Sequence, residues 1–263
     1  MRGRSCLNAP IATETCEQHR PRSTLCGRRE LLLGAAVATC AILLGTDARA
    51  APPKETGLSF EGLLKDKPGF QPRTPAPLPI TEIPGFLSKE QLGRNFAAYR
   101  DAFAKLLAAE SALVTVSRDA AHAKEYEALR AQQVNSANSV LLHEFYFRNL
   151  ATSPVRASRY VLSNMTEHMG TVDSWREDFT ACARVAQSWT VLVYDPYDDR
   201  WHNLPLGESD AGGWIGSNPL IVCDVSNDAW STDYKDRNQY VTRFFDHIDW
   251  DVVGTRYHQV DRH

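Results

Sequence analysis

One histidine, His143, lies inside the apolar and aromatic segment VLLHEFYFRNL, which spans Val140–Leu150. An imidazole on a buried helix face either binds a transition metal or is a core side chain hydrogen-bonded to a neighbour such as Asp224. Asp224 lies near the end of the apolar run Pro219–Val225, where a carboxylate serves as a metal ligand or as the cap of a following helix. His143 and Asp224 are therefore the first candidates for metal chemistry.

The remaining chemistry-bearing residues match no familiar catalytic pattern. The sequence has no G-x-S-x-G, P-loop, C-x-x-C or H-E-x-x-H motif. The acidic segment DPYDDRWHN lacks the EF-hand pattern and predicts a hairpin turn. Four other histidines of the second half show no metal-ligand spacing with each other: His168, His202, His247 and His258. We expect the last two, His247 and His258, to be exposed.

The N-terminal residues 1–50 have the layout of an export signal. The arginine pair Arg28–Arg29 precedes the apolar run Leu31–Gly45, and Ala48–Ala50 forms an A-x-A cleavage pattern. We expect a twin-arginine signal, with a retained membrane anchor as the alternative. The additional leader before the arginine pair resembles a plastid transit peptide, which predicts the chloroplast thylakoid lumen; a bacterial periplasm is the alternative.

Removal of residues 1–50 changes the bulk properties of the chain. The full chain of 263 residues has a formal charge of −3, and the remainder keeps 22 basic and 28 acidic residues, a charge of −6. An acidic chain gives no reason to expect nucleic-acid binding, and without the leader we expect no membrane association. Only Cys182 and Cys223 remain, either as one disulfide or as two buried thiols.

The mature chain divides into an arm and two domains. The proline-rich residues 51–86 predict extended structure, either a linker or an arm lying on the domain, and this arm is where we would look for a protein partner. Residues 87–152 predict two antiparallel helices, the first capped by Ser88 with Gln91 and the second running from about Asp119 to Leu150.

The C-terminal residues 170–258 predict an α+β domain. A capping box of Ser174 and Glu177 indicates a helix to about Ala186. Three strands follow, and the chain from Ala229 to Tyr257 is helical again. The predicted strands are Trp189–Asp195, Arg200–Leu206 and Pro219–Val225. The predicted fold class is thus α+β: an N-terminal α-helical hairpin domain is followed by a C-terminal α/β domain with a three-stranded antiparallel sheet.

Several of these segments resemble the iron/manganese superoxide dismutase family. The likeness covers about residues 87–257 and rests on HEFYF in the hairpin and on SWREDFTACA, SWTVLV, NLPL and PLIVCDVSNDAWSTDYKDRNQYVTRFFDHIDWDVVGTRY in the second domain. The resemblance implies one redox metal, Fe or Mn, held by three histidines and one aspartate, two ligands coming from each domain.

Only two of the four implied ligands are present. His143 and Asp224 match the family's positions, whereas Asn95 and Asp228 stand where the other two histidines belong. A site of these four residues would be harder and more anionic than the family's, favouring the oxidised metal. Without a metal, we expect Asp224 and Asp228 to lie close together, so that one of them takes a proton.

The residues that support the metal in the family are also replaced. The glutamine that bonds the metal-bound solvent falls on Ser139 or Val185, the gateway tyrosine on Phe103, and the glutamate of the dimer interface on Asn227. We therefore expect either a monomer or an interface unlike the family's.

Two hypotheses for the function follow. The first is a dismutase-like protein that has lost its activity and acts as a binding or assembly protein in the lumen. The second is an active or remodelled Fe or Mn superoxide dismutase, converting superoxide to O₂ and H₂O₂.

Overall fold

The computed structural model describes residues 74–207, 210 and 212–261. The predicted signal, residues 1–50, and the first part of the arm, residues 51–73, lie outside the described residues. In the part described, a helical region precedes an α/β domain built on a three-stranded antiparallel sheet, so the predicted fold class is confirmed.

The helical region consists of two long helices, α1 (Lys89–Thr115) and α2 (Ala123–Arg148), and a short 3-10 helix precedes α2. One of the two hydrogen bonds of the predicted capping box of α1 is present. The Ser88 hydroxyl accepts the Gln91 N–H at 3.1 Å, as a capping box requires. However, the Gln91 amide does not return to Ser88; it donates to the Asp228 carbonyl at 2.6 Å and thereby ties α1 to the second domain.

The second domain begins with two helices, α3 (Arg159–Met169) and α4 (Val172–Val185). We did not predict α3, and the predicted capping box of α4 is wrong, because Thr171 is the N-cap and accepts the Ser174 N–H at 2.9 Å. Further along the chain are three strands and three helices: β1 (Trp189–Asp195), β2 (Arg200–Pro205), β3 (Asn218–Asp224), α5 (Asn227–Trp230), α6 (Arg237–Phe244) and α7 (Trp250–Val260).

The sheet has the strand order β2-β1-β3, with β1 pairing antiparallel to both neighbours. Every residue of β1 is buried, as expected for a central strand with both faces covered. Trp189 is opposite Asp224 in the register, so the last residue of β3 lies beside the first residue of β1.

Two buried polar side chains join the end of α2 to β3. The Asn149 amide pairs with the backbone of Val222 in both directions, at 2.8 and 3.1 Å. Arg256 donates to the carbonyls of Phe145 and Leu220 at 2.9 and 2.8 Å. These bonds fix the position of α2 against the sheet.

The described part of the arm lies on the domain. The Ala76 N–H donates to the Tyr99 hydroxyl at 2.9 Å, and Phe86 is buried. The Phe86 ring stacks on His247, with centroids 4.6 Å apart and an angle of 3° between the planes. The expected exposure of His247 is therefore wrong; the arm covers this histidine, which no local pattern in the last helical region indicates.

Replacing Tyr234 with phenylalanine is expected to lower the free energy of unfolding by about 1 kcal/mol. Its hydroxyl donates to the Phe86 carbonyl at 2.8 Å, and phenylalanine leaves that carbonyl without this partner. Urea unfolding measures the change. Tyr197→Phe is the matched control, because the Tyr197 side chain is 89% exposed. Equal effects of the two substitutions would contradict the role assigned to this bond.

Cys182 and Cys223 are both free thiols, so the disulfide alternative is wrong; Cys223 is buried as expected, whereas Cys182 is only partly buried. Burial raises the pKa of the Cys182 thiol to about 11. Among the residues described, none of the helices has both the length and the apolar character that crossing a membrane requires.

Candidate functional site

Three of the four candidate metal-site residues come together in the core. Asn95 lies on α1, His143 on α2 and Asp224 at the end of β3, and all three are buried. The Asn95 Nδ2 atom donates to Asp224 Oδ2 at 2.8 Å. His143 Nε2 lies 3.9 Å from the same oxygen, too far for a hydrogen bond.

Aromatic rings surround the His143 imidazole. The Trp189 ring meets it edge-on with centroids 4.8 Å apart, and the Tyr99 and Phe147 rings lie 6.0 Å away. Such walls exclude water, so a charge in this cluster has little solvent to stabilise it.

The hydrogen bonding of His143 fixes its tautomer. The Nδ1 atom lies 2.7 Å from the Ser139 carbonyl, which can only accept, so Nδ1 carries the proton and Nε2 holds a lone pair. Burial lowers the pKa of His143 to about 4, against the raising effect of the Ser139 bond, so the ring is neutral at pH 7. His143 thus bonds to the backbone of its own helix rather than to Asp224.

Asp224 is held by two donors. Its Oδ1 accepts the Ser226 N–H at 2.9 Å, and Asn95 occupies Oδ2. Burial raises the pKa of Asp224 to about 7; the bonds from Ser226 and Asn95 oppose the shift, and the charge of Asp210 adds to it. Asp224 is not the N-cap of α5, which is Ser226, but it bonds the N–H of that residue.

Asp228 is engaged at the surface by Arg94. Its side chain is about half exposed, and Oδ1 accepts the Arg94 Nε–H at 2.9 Å in a salt bridge. Gln91 holds the Asp228 backbone carbonyl at the same time. The expectation that Asp224 and Asp228 share a proton is therefore wrong: burial raises the pKa of Asp224, and the carboxylate that adds to it is Asp210.

The supporting positions also lack the implied groups. Phe103 is buried, and Val185 is 71% exposed. Ser139 contributes its backbone carbonyl to His143, while its hydroxyl lies 3.5 Å from Nδ1. Asn227 is the first residue of α5.

Two further residues of the site were not predicted from the sequence, Gln91 and Tyr99. The Tyr99 hydroxyl donates to Glu144 Oε1 at 2.8 Å, and Gln91 accepts the Thr232 N–H at 2.7 Å. Both lie four residues from Asn95, one helical turn before and after it, so they share its face of α1. That spacing was the available signal.

The donors in this cluster do not fit a redox Fe or Mn. Among the residues brought together, only His143 Nε2 and the Asp224 carboxylate present ligand atoms. Asn95 directs N–H groups at Asp224, and the Asp228 carboxylate is engaged by Arg94. A transition metal of this kind needs more nitrogen or oxygen lone pairs directed at one point.

Comparison with known proteins gives a family match. Residues 157–256 match the family model for the C-terminal domain of iron/manganese superoxide dismutases. That range contains Asp224 and Asp228 but neither Asn95 nor His143.

Curated relatives extend the match to the helical region. A manganese superoxide dismutase of Haloarcula marismortui is 24% identical over 191 residues, which cover 72% of this chain and 94% of that protein. The iron superoxide dismutase of Aquifex aeolicus is 31% identical over 135 residues, 51% of this chain and 63% of that protein. Manganese superoxide dismutase 2 of Haloferax volcanii is 30% identical over 121 residues, 45% of this chain. The alignments with the two Haloferax volcanii enzymes span 61% and 60% of those proteins.

Proposed function

The chain belongs to the iron/manganese superoxide dismutase family, and we propose that it keeps the family's fold but has lost dismutase activity. One observation carries the proposal: the Asn95 amide donates to Asp224 Oδ2 at 2.8 Å. Asn95 stands at a position where the resemblance implies a histidine ligand. The Asn95 side chain thus donates a hydrogen bond to the remaining carboxylate instead of directing a lone pair at a metal.

A resident redox metal supplies the dismutase reaction with its one-electron chemistry. Among the four candidate residues, His143 and Asp224 are the metal donors that lie together, whereas the Asp228 carboxylate is bound by Arg94. Two protein ligands would leave most of the coordination sphere to solvent, which weakens both metal affinity and control of the potential.

The second candidate is an active or remodelled dismutase. It is favoured by the two retained donors: His143 Nε2 keeps a free lone pair and lies 3.9 Å from Asp224 Oδ2. In addition, the Asn95 Oδ1 atom is buried and has no hydrogen-bond partner in the described part of the chain. If the Asn95 amide rotated, that oxygen would become a third, weak ligand.

Metal content separates the two candidates. Residues 51–263 would be produced in cells supplied with iron and in cells supplied with manganese, with the Haloarcula marismortui enzyme as a positive control. We expect neither metal in the purified protein and no dismutase activity above background. Stoichiometric iron or manganese together with rapid superoxide turnover would overturn the proposal.

We further propose a binding or assembly role through the arm. Residues 74–86 contact the chain's own domain, through Ala76 and Phe86 among others. The preceding residues 51–73, which include Leu58, Phe60 and Leu64, therefore supply the contact with a protein partner. Cross-linking in the native compartment tests this. Replacing residues 51–73 with a glycine-serine segment of equal length should abolish the cross-link, and an unchanged cross-link would contradict the proposal.

The place of action that we propose is the thylakoid lumen, with a bacterial periplasm as the alternative. The support is the order of Arg28–Arg29, the apolar run and the A-x-A site. Changing Arg28 and Arg29 to lysine preserves the charge but removes the arginine pair, so export should stop while precursor accumulates. Fractionation of chloroplasts, and of bacterial cells, measures export; normal processing of the double variant would exclude the twin-arginine route.

A further inference from the structure

The hairpin between β1 and β2 gathers three ligand-type side chains far from the Asn95–His143–Asp224 cluster in the sequence. One ligand atom each from Asp195, Asp198 and His202 lies within 4.8 Å of the other two, the only such group of three or more among the residues described. In the register, Asp195 pairs with Arg200, and His202 pairs with Val193. Asp195 and His202 are thus diagonal neighbours on one face of the sheet, and the turn places Asp198 beside them.

The Asp195 carboxylate lacks a compensating charge. The residue is 2% exposed, and its Oδ1 accepts the Tyr197 N–H at 3.0 Å. Within the described part of residues 74–261, neither a lysine nor an arginine forms an ion pair with Asp195, whose carboxylate accepts the Tyr197 N–H. A buried carboxylate normally has a cation or a full set of donors. A metal ion bound by these three residues would place a cation beside the Asp195 carboxylate.

The geometry of the other two residues favours a metal. His202 Nε2 is hydrogen-bonded to Asp198 Oδ2 at 2.8 Å, so a metal ion would take the place of the proton between two ligand atoms that already face each other. The His202 ring also stacks on Trp214, with centroids 4.5 Å apart and an angle of 29°, so its direction is held before any ion arrives. The Asp198 side chain is solvent-accessible, which provides an entry path.

We propose that Asp195, Asp198 and His202 form a binding site for a divalent transition metal, with Zn²⁺ the best match. An imidazole nitrogen with two carboxylate oxygens suits zinc, whereas Mg²⁺ and Ca²⁺ take oxygen ligands almost exclusively. Three protein ligands leave one tetrahedral position open for water or for a group from another molecule. The site shares no residue with the family's metal position, so it does not depend on whether dismutase activity has been lost.

The first test is whether the protein binds Zn²⁺ in preference to Mg²⁺ and Ca²⁺. Isothermal titration of the metal-free, untagged protein, residues 51–263, with Zn²⁺ should show one site, and Mg²⁺ or Ca²⁺ at the same concentration should show none. Zn²⁺ should also raise the melting temperature, since it binds only the folded hairpin. Absence of zinc binding would overturn the proposal.

Variants locate the site. His202→Gln and Asp198→Asn should each weaken zinc binding by roughly 100-fold, because loss of a ligand costs at least as much as loss of an outer-shell partner. His258→Gln and Asp246→Asn are the matched controls, being exposed residues of the same types outside the hairpin, and they should leave binding unchanged. His143→Gln should also have no effect. Circular dichroism confirms folding of each variant. Zinc binding that survives both hairpin substitutions would refute the site.

Discussion

Replacing Asp224 with asparagine is expected to raise the free energy of unfolding above pH 7 by on the order of 2–4 kcal/mol. Burial raises the pKa of this carboxyl to about 7, so above that pH the folded protein must hold an ionised group in an apolar environment. Asparagine has nearly the same shape and carries no charge. A substitution in the core that stabilises a protein is unusual, and this one follows from the burial of an ionisable carboxyl.

The hydrogen bonds of the cluster can all be kept in the Asp224→Asn protein. The new amide oxygen accepts the Ser226 N–H, as Asp224 Oδ1 does now. Its nitrogen donates to Asn95 Oδ1 once the Asn95 amide turns over, and that oxygen has no partner at present. The substitution therefore removes a charge and exchanges one unpaired buried atom, Asn95 Oδ1, for another, Asn95 Nδ2.

The stability of the protein should depend on pH through Asp224 and His143, and the two residues act in opposite directions. Asp224 has a raised pKa in the folded state, so its contribution to stability is complete below pH 4 and is lost as the pH rises to about 7. His143 has a pKa lowered from 6.5 to about 4, so its contribution is complete above pH 6.5 and is lost as the pH falls to about 4. In the unmodified protein the two contributions oppose each other between pH 4 and 6.5.

Asp224→Asn leaves only the contribution of His143, so stability should rise with pH between about 4 and 6.5. Urea unfolding at several pH values measures this slope. Asp246→Asn, an exposed aspartate, is the control and should leave the profile of the unmodified protein unchanged. Lower stability of Asp224→Asn at pH 8 would contradict the prediction and would indicate a carboxylate that serves as a metal ligand.

The double variant Asn95→His, Asp228→His is expected to acquire about one equivalent of Fe or Mn per chain, whereas we expect none in the unmodified protein. With His143 and Asp224 it would present three imidazoles and one carboxylate, the donor set that the family resemblance implies. The first change removes the amide that occupies Asp224 Oδ2, and the second removes the salt bridge with Arg94. Elemental analysis after growth with each metal is the measurement.

The double variant should lose only a moderate amount of folding stability. Histidine is larger than asparagine, and Asn95 is 1% exposed, so overpacking should cost about 1–3 kcal/mol. The salt bridge of Asp228 lies at the surface and is worth at most about 1 kcal/mol. Each single variant lacks one ligand and is expected to bind metal much more weakly. Asp228→Asn with Asn95→His is the matched control, since it breaks the salt bridge without adding the last imidazole.

Metal in the double variant at no more than the level of this control would refute the assignment of positions 95 and 228. Dismutase activity is a separate outcome. Phe103 lacks the hydroxyl that the resemblance implies at the gateway, and Ser139 turns its carbonyl to His143. We therefore expect metal to return without efficient turnover.

Local patterns predicted most of the fold. The three strands are found within a residue or two of their predicted bounds, because alternation of β-branched and aromatic residues between turn signals is a local property. The helix α3 was missed because its sequence is mostly polar and buries only Val161 and Met165. The Ser174 cap failed for a related reason: Thr171, three residues earlier, is an equally good cap, and the packing of α4 selected it.

By itself, the sequence determined which residues stand at the four positions where the family resemblance implies metal ligands: one histidine and one aspartate, with asparagine and aspartate at the other two. Donor chemistry is a property of the residue, so no structure was needed for it. Only the tertiary structure decided where those groups point. Asp228 turns to Arg94 and Asn95 to Asp224 because helix α1 meets the loop after β3, contacts between residues more than 120 positions apart. In the same way, pairing of β1 with β2 brings together Asp195, Asp198 and His202, which the local sequence indicates only as part of a hairpin turn.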